Sequence, residues 1–538
     1  MAIVVALSGP VAVGKTTLAE RLASQWPTAL VKTREEIARA AAARGRELGD
    51  RRDFQEFGDE LDRSTDGAWV AEAAAQVNLD TVRLLIVDAI RIEEQVHALR
   101  ERFGRGLVHV HLEAADLGEL ARRYRERRPR GVTMTELRDY DEVRSNATEA
   151  QVDSLARIAD VVLDTQRNTE GDLVIRCAAR LGLLPSLTAP LVDVLVGGQY
   201  GSEGKGNISY YLAPEYDVLA RVGGPNAGHK VRHDGAVLTH RSLPSGATAN
   251  PEAPLLIGPG AAIAIDVLMD ELANTRVDPR RVHLDPQVVV ITPEDREREV
   301  ELRHAIRSTA EGVGSAAARR ILGRGEPTKL ARDFPELAQF IAPTSELLNE
   351  AFAHSRRVLV EGTQGTGLSL FHGTYPYVTS RDTTVAGTLA EMGIGPRRVR
   401  RAIMVARTYP IRVAGNSGPI GAGRELTWPE IEERSGEEPG SITELSSVTR
   451  QQRRVAEFDW QLLRRSAELN SATDVALTFA DYINVKNRRA YRYEQLSQDT
   501  LQFVEEIESV TGAAVSLIAT DFSERAIIDR RTWRAVRK

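Results

Sequence analysis

One cysteine, Cys177, stands in 538 residues, so no internal disulfide can form and no cysteine pair offers metal-ligand spacing. That usage fits a reducing, cytoplasmic setting, with Cys177 expected as a buried structural thiol. No apolar run approaches the ~20 residues that a membrane-crossing helix needs, so no membrane partner is expected. The first residues, Met1-Ala-Ile-Val-Val-Ala-Leu7, lack the basic lead-in of a signal peptide and read as a core strand. A formal net charge of -6 gives no global case for nucleic-acid binding. Low-complexity tracts and solenoid-length repeats are also missing. What is there, 42% apolar and 27% charged residues, is an ordinary globular composition, long enough for two or more domains with buried cores.

Gly9-Pro-Val-Ala-Val-Gly-Lys-Thr16 satisfies G-x-x-x-x-G-K-[ST] after an apolar strand and before the helical pattern that begins at Thr17. Gly9 and Gly14 let backbone N–H groups close on phosphate oxygens, Lys15 would bridge β- and γ-phosphates, and the Thr16 hydroxyl would hold Mg²⁺. Leu84–Ile90 is a buried-strand run that contains Asp88, an acid expected to support the metal site from behind its direct ligands, with Arg91 beside it. Val108–Leu112 and Val161–Asp164 are further short β-branched runs between helical stretches, which predicts a parallel sheet covered by helices. His109 and His111 alternate with valines there and read as structural histidines rather than a metal pair. The basic run Ala121–Arg130, with Arg123 in it, reads as an arginine lid over transferring phosphates, or else as a solvated helix face. Together these features resemble small nucleoside monophosphate kinases and related P-loop kinases. The acceptor is not readable, and Arg34, Arg63 and Arg91 are candidates for it. Two prolines in Leu183–Pro190 mark a linker, giving domains at 1–185 and 191–538 with 186–190 between.

The second domain opens on Val192-Asp-Val-Leu-Val-Gly-Gly-Gln-Tyr-Gly-Ser-Glu-Gly-Lys-Gly206, a strand delivering a glycine loop. Gly201, Gly204 and Gly206 would let backbone amides approach an anion, and Lys205 adds a compact positive charge. Arg221-Val-Gly-Gly-Pro-Asn-Ala-Gly-His-Lys-Val231, Val360-Glu-Gly-Thr-Gln-Gly-Thr366 and His372-Gly-Thr-Tyr-Pro-Tyr-Val-Thr-Ser380 follow, with Thr383-Thr384 beyond. In this order, over about residues 191 to 538, these segments resemble adenylosuccinate synthetase, the ligase that joins aspartate to C6 of a 6-oxopurine nucleotide.

The resemblance implies a larger α/β domain, a homodimer, Mg²⁺ and a nucleoside triphosphate. It also implies site residues. His229 would be the catalytic histidine that stabilises charge around O6, and Lys205 would act on the transferring phosphate. Asn226, Ala227, Thr309 and Thr379 would meet the substrate, the carbonyl of Gly228 would help to hold Mg²⁺, and Gln364 would read the purine. Gln199 and Glu203 in the glycine loop are substrate-side candidates. Thr449, Gln451 and Arg453 fall in the aspartate-binding loop, where Gln451 replaces a family arginine. Lys230, Asp481 and Thr520 fall on the donor-nucleotide side. Phe479 stands where the family has the lysine of Thr-Lys-Leu-Asp, so the donor implied is ATP or dATP, with GTP left open. Ala310-Glu311 replaces a family glycine-arginine.

The departure with the largest chemical consequence is Ser202, where the family carries an acid that deprotonates N1 and binds Mg²⁺. Three readings stay open. A changed substrate is one: a short neutral serine leaves room for an exocyclic 2-amino group, as in the diaminopurine-pathway synthetases that take dGMP, and Ser380-Arg-Asp-Thr-Thr384 and Phe479 depart alongside it. An ordinary IMP ligase with Glu203 as substitute base is the second. A catalytically silent nucleotide-binding scaffold for the kinase domain is the third.

Overall fold

The computed structural model describes residues 2–126, 140–184, 187–325, 328–445 and 451–532. The chain forms two compact units, Met1–Pro185 and Ser186–Lys538.

In the first unit, β1 (Ile3–Ser8), β2 (Thr28–Lys32), β3 (Leu84–Ile90), β4 (Leu107–Glu113) and β5 (Val161–Asp164) form a five-stranded sheet in the order β2-β3-β1-β4-β5. All pairings are parallel. Near-continuous apolar sequence is what a parallel sheet buried on both faces needs. Here Val5, Leu7, Ile86 and Leu112 pack on one side and Val4, Ala6, Leu85 and Val87 on the other. The P-loop follows β1 directly, and Gly14, at φ 104, caps α1 (Lys15–Gln25). Helix α2 (Thr33–Ala43) leads to α3 (Arg51–Thr65), whose first turn is fixed by a reciprocal capping box between Asp50 and Asp53 and which buries Phe54, Phe57 and Leu61. Helix α4 (Ala68–Ala75) and α5 (Glu93–Phe103) pack beside it, and α6 (Leu117–Glu126) follows β4.

His109 and His111 are buried and share the Ser8 hydroxyl at 2.7 and 2.8 Å. Burial holds both near a pKa of about 4, so they are neutral framework groups. Cys177 is buried, and burial pushes its thiol up to about 12.

The second unit is built on a nine-stranded sheet with β6 (Val192–Gly197) in fifth place. On one side stand Val358–Glu361, β7 (Val218–Arg221), Leu255–Ile257 and Val282–Leu284; on the other, Val399–Arg407, Asp474–Thr478, Ala514–Ala519 and Ile527–Asp529. Only the last pairing is antiparallel. Both neighbours of β6 come from much later in the chain, so the strand order reverses across it. In open α/β sheets the crevice beyond the carboxyl ends at such a point is where ligands bind. Arg221, Glu361, Arg407 and Thr478 each end a strand around the glycine loop that follows Gly197. No described helix is long and apolar enough to cross a membrane.

Candidate active sites

The loop after β6 is shaped by Glu203. One carboxylate oxygen accepts the backbone N–H groups of Gln199 at 2.9 Å and Gly201 at 2.8 Å; the other accepts from Lys205 Nζ at 2.7 Å. The Glu203 and Lys205 side chains are at most 1% exposed. A Cβ at Gly197 or Gly365 would lie 2.6 or 2.4 Å from that carboxylate, which explains glycine at both. Gly204, at φ 84, opens the helix Lys205–Leu212. Ser202 is half-buried on the loop crest; its carbonyl accepts from Arg407 at 3.0 Å, and its hydroxyl makes no hydrogen bond to a described residue. Glu203 is therefore the loop's internal brace.

His229 begins a two-stranded hairpin, His229–His233 with Ala236–His240. Its Nδ1 is held by the Glu361 carboxylate, which also accepts from Ser209 at 2.8 Å, from the Ser245 hydroxyl at 2.5 Å and N–H at 2.7 Å, and from Arg221 at 3.4 Å. Burial, helped by Arg221 and opposed by Glu361, lowers His229 to about 4. Burial raises Glu361, but His229 and Arg221 outweigh it and hold its carboxyl below the usual range. The imidazole is thus neutral with Nδ1 protonated, and Nε2 is left buried with no partner among the described residues. An orphaned buried nitrogen on a braced ring is poised to meet a ligand atom, and Glu361 would stabilise the imidazolium that forms when it takes a proton.

Other orphans face the same region. Asn226 Oδ1 is buried and unpartnered, and the Gln364 backbone is held at φ 58 with the side chain 7% exposed. Arg381 is buried beneath them, donating to Thr363 at 2.8 Å and pairing with Glu391 at 2.6 Å, where burial pushes Glu391 up to about 7 against the pull of Arg381. Gly223, at φ +103, sits where a Cβ would come within 2.1 Å of both Arg381 and Thr363. Gly223→Ala is expected to destabilise the second unit by more than about 1 kcal/mol and to weaken ligand binding, since strained φ and steric overlap act together; thermal unfolding of wild type and variant checks it.

Several sequence candidates are otherwise engaged. Gln199 donates to and accepts from the main chain of Arg407 at 3.0 and 3.1 Å, so its amide fastens the loop to the neighbouring strand. The Thr520 hydroxyl is spent on the Ala526 carbonyl, and Lys230 is exposed on the hairpin. The Ala227 carbonyl accepts from Arg221 at 2.8 Å, and Gly228 is half-buried next to it. A Cβ at Gly206 would lie 3.0 Å from the His229 side chain, so the helix start and the histidine are in close contact. Thr309 and Thr379 are half-buried. Glu311 pairs with Arg241 at 2.9 Å. On the far side of the loop, the Arg407 guanidinium lies 3.9 Å over the Phe479 ring and pairs with Glu444 at 3.0 Å. Asp481 pairs with Arg488 at 2.9 Å, is pushed up to about 6 by burial against that pull, and keeps one buried oxygen without a partner. Arg453 is half-buried and Gln451 exposed; Thr449 lies outside the described residues. Sequence reading passed over Arg221, Glu361 and Arg407. The first two stand inside the quoted motifs as a cation and an acid at strand ends, a signal that was present.

In the first unit a cavity of about 870 Å³ surrounds the P-loop, with Gly14, Thr17, Asp88, Arg91 and Arg123 among its walls. Lys15 Nζ is curled onto the carbonyls of Gly9 and Pro10 at 2.6 and 2.8 Å. Gly9 is required: a Cβ there would lie 2.2 Å from the Leu112 carbonyl. Thr16 donates to Asp88 at 2.7 Å, a hydroxyl–carboxylate pair of the hard-oxygen type that Mg²⁺ takes. Arg123 bonds Glu119 and Thr165 at 2.8 and 3.3 Å, and Arg122 bonds Glu119 and Glu126, so the basic helix carries its own counter-charges. Residues 127–130 of the predicted lid lie outside the described residues. Arg34 and Arg91 line the cavity; Arg63 is exposed, bonds the Asp59 carbonyl and lines neither this cavity nor its neighbour.

Burial first, then Arg91, lowers Lys15 to about 7, opposed by Asp88 and Glu149. A bound polyphosphate supplies the missing counter-charge and restores the ammonium. Nucleotide binding at pH 8 is therefore expected to take up protons, approaching about one per chain. Titration calorimetry in two buffers of different ionisation enthalpy measures this, and Lys15→Ala should abolish it. Among the described residues no group of three or more His, Cys, Asp or Glu is placed to hold a metal. In the second unit a hard cation would be held by the Gly228 carbonyl and by substrate phosphates, with no carboxylate at position 202.

Comparison with known proteins agrees with this division. A family model described as adenylosuccinate synthetase matches residues 194–329 and 324–488, and one described as an AAA domain matches residues 5–151. The adenylosuccinate synthetase of Methanocaldococcus jannaschii is 38% identical over 347 residues, 63% of this chain and 96% of that protein. That of Pyrococcus sp. (strain ST700) is 38% identical over 346 residues, 63% of this chain and 98% of that protein. Among solved structures, the cyanophage S-2L succinoaminodeoxyadenylate synthetase bound to dGMP and dATP is 30% identical, with a TM-score of 0.53 over 64% of this chain and 96% of that one. The adenylosuccinate synthetase of Plasmodium falciparum, 18% identical with a TM-score of 0.55, shares the fold over 63% of this chain and all of that one. The chain belongs to the adenylosuccinate synthetase family, a ligase carried behind an amino-terminal P-loop, kinase-like domain.

Proposed function

We propose that the ligase domain joins L-aspartate to C6 of dGMP, giving N6-succino-2-amino-2′-deoxyadenylate, with ATP or dATP as phosphoryl donor and Mg²⁺ as cofactor. As the γ-phosphoryl group moves to O6, the bridging Pγ–O bond breaks and the nucleoside diphosphate leaves, while the N1 proton passes to His229 Nε2. The aspartate amine then displaces phosphate at C6 and gives up its own proton to solvent. When bound, Mg²⁺ would neutralise charge on the transferring phosphates, with the Gly228 carbonyl among the groups that would hold it. Lys205 is carried to the same phosphates on the helix that opens at Gly204. His229 presents the unprotonated Nε2 to the N1–O6 edge of the purine, takes the N1 proton and then stabilises charge at O6 as an imidazolium. Gln364, with both a donor and an acceptor, reads the base.

The observation that carries the substrate choice is Ser202 beside a Glu203 already holding three donors. Freeing Glu203 as the base of an IMP ligase would strand Lys205 and two backbone N–H groups, whereas serine leaves space and a hydroxyl for a 2-amino group. The cyanophage relative, solved with dGMP and dATP, supports the same reading. Phe479 under Arg407 supports a donor other than GTP, because the lysine position is filled by an aromatic–guanidinium stack. The second reading, an IMP ligase, is favoured by the archaeal relatives at 38% identity. The P-loop domain is read as a nucleotide kinase beside it, and the assembly as a homodimer.

The test is a mass-spectrometric end-point assay with Mg²⁺ and L-aspartate, crossing IMP, GMP and dGMP against ATP, dATP and GTP. Succinylated product from dGMP and none from IMP is the expected result; product from IMP alone overturns it. Sedimentation of the purified chain checks the dimer.

A further inference from the structure

Beside the P-loop cavity lies a smaller chamber of about 100 Å³ that no sequence motif announces. Thr33, Arg34, Arg51, Ala89 and Arg91 line both spaces, so every charged side chain at their junction is an arginine. Arg51 and Arg91 share one carboxylate, Glu149, at 3.4 and 3.3 Å. The inner walls differ. Phe54, Ile37 and Trp69 supply flat and apolar surface, and Asp62, Gln55 and Gln95 supply polar atoms.

Those polar atoms are unequally satisfied. Gln95 is 2% exposed and uses both amide ends, donating to Asp62 Oδ1 at 2.8 Å and accepting the Arg91 N–H at 2.9 Å. Trp69 Nε1 donates to the same Asp62 oxygen at 2.6 Å. Asp62 has no cationic partner among the described residues, and its Oδ2 takes no donor from them; burial raises its carboxyl above the ordinary value, with the Trp69 and Gln95 hydrogen bonds opposing. Gln55 Nε2 is buried with no partner among the described residues. Asp62 Oδ2 and Gln55 Nε2 thus offer an acceptor and a donor beside apolar walls, in a chamber that Asp59 and Glu149 also line, and a mouth carrying three arginines opens towards the triphosphate site. This pattern is complementary to a planar base whose edge carries an amino group beside a ring or carbonyl acceptor, joined to a phosphate.

We propose that this chamber is the acceptor subsite of the kinase-like domain and takes an aminopurine nucleoside 5′-monophosphate. Asp62 accepts from the exocyclic amino group, Gln55 donates to the neighbouring acceptor, and Arg34, Arg51 and Arg91 receive the 5′-phosphate. The inference rests on the kinase reading above and deepens it by naming the acceptor. In the transfer, an oxygen of the dianionic acceptor phosphate forms a bond to the γ-phosphorus as the bridging Pγ–O bond breaks. Its electron pair leaves with the nucleoside diphosphate, and no net proton moves. Lys15 lies on the triphosphate side and Asp62 on the acceptor side, so the two are separable by mutation.

The experiment uses the full chain with Mg²⁺ and ATP against dGMP, dAMP, 2-aminodeoxyadenylate, dIMP, dTMP and gluconate, with diphosphate products read by mass spectrometry. Binding without turnover is read from tryptophan fluorescence, using Trp69→Phe to assign the signal. Lys15-dependent phosphorylation of the amino-bearing purines, at least about tenfold over dIMP and dTMP, is expected. Asp62→Asn should then lose about 10–100-fold of that preference while ATP binding and far-UV dichroism stay unchanged. Preference for dTMP or gluconate, or an Asp62→Asn variant with the wild-type preference, overturns the proposal. If no acceptor is phosphorylated but aminopurine monophosphates alone quench Trp69, the kinase reading fails and the subsite stands. If neither turnover nor quenching is seen, both fail.

Discussion

Alanine at position 229 is expected to lower ligase turnover by about 10²–10⁴ and to leave binding of the purine monophosphate within a few-fold of wild type. The range is what removal of a positioned proton-transfer group costs. Geometry argues for the upper part of it. The ring is fixed at Nδ1 by Glu361, and Glu361 is itself fixed by Ser209, Ser245 and Arg221, so Nε2 is presented with little freedom. Water entering the space left by alanine has no such orientation. Burial keeps the imidazole neutral near a pKa of about 4, so the wild-type group is available as an acceptor throughout the neutral range. Glu361→Gln separates positioning from chemistry. It keeps one hydrogen bond to the ring but removes the charge that would stabilise imidazolium, and it leaves Arg221 buried without its anion. Loss of stability of about 3–5 kcal/mol is expected from that uncompensated charge, together with a smaller loss of rate than in the alanine variant. Single-turnover rates and denaturant unfolding on both variants decide it. A His229→Ala chain with near-wild-type turnover would remove the histidine from the mechanism.

How far the sequence foretold this arrangement varies with the physics involved. The parallel sheet of the first unit was legible because β-branched runs such as Leu84–Ile90 and Val161–Asp164 have few alternatives once helices flank them, and both are strands. Lys15, Thr16 and Asp88 were legible because phosphate chemistry confines residue types and spacing, and the fold brings the last two within 2.7 Å. In the second unit the motifs gave the loops but not their internal bracing. Glu203 looked like a spare acid on paper. Its capture by Lys205 and two backbone N–H groups depends on loop dihedrals set by Gly201 and Gly204 at positive φ. The anchoring role of Gln199 is hidden for the same reason: a lone glutamine in a glycine loop carries no sign that the Arg407 main chain, over two hundred residues later, will engage its amide. The Asp62 and Gln55 chamber was illegible because its walls come from four separate stretches with no shared motif.

Lys205→Ala should abolish ligase activity and also destabilise the second unit by about 3–5 kcal/mol, because it leaves the buried Glu203 carboxylate without its cation. The two effects can be pulled apart. In the double variant Glu203→Gln/Lys205→Ala no buried charge is stranded, and glutamine can still accept the N–H groups of Gln199 and Gly201 through its carbonyl oxygen. Stability is expected to recover by at least half while turnover stays at the level of the single variant, since the ammonium that would meet the transferring phosphate is still missing. Such non-additivity is the signature of two groups acting as one buried unit. The same cycle bears on Ser202. If Glu203 were the base of the reaction, Glu203→Gln alone would lower the rate by the general-base factor with a marked change in pH profile. If Glu203 is the brace that its three hydrogen bonds describe, the single variant loses stability first, and its residual activity keeps the wild-type pH dependence. Turnover against pH for the Glu203→Gln chain, normalised to its folded fraction, therefore separates a ligase in which Glu203 takes the N1 proton from one in which another group does.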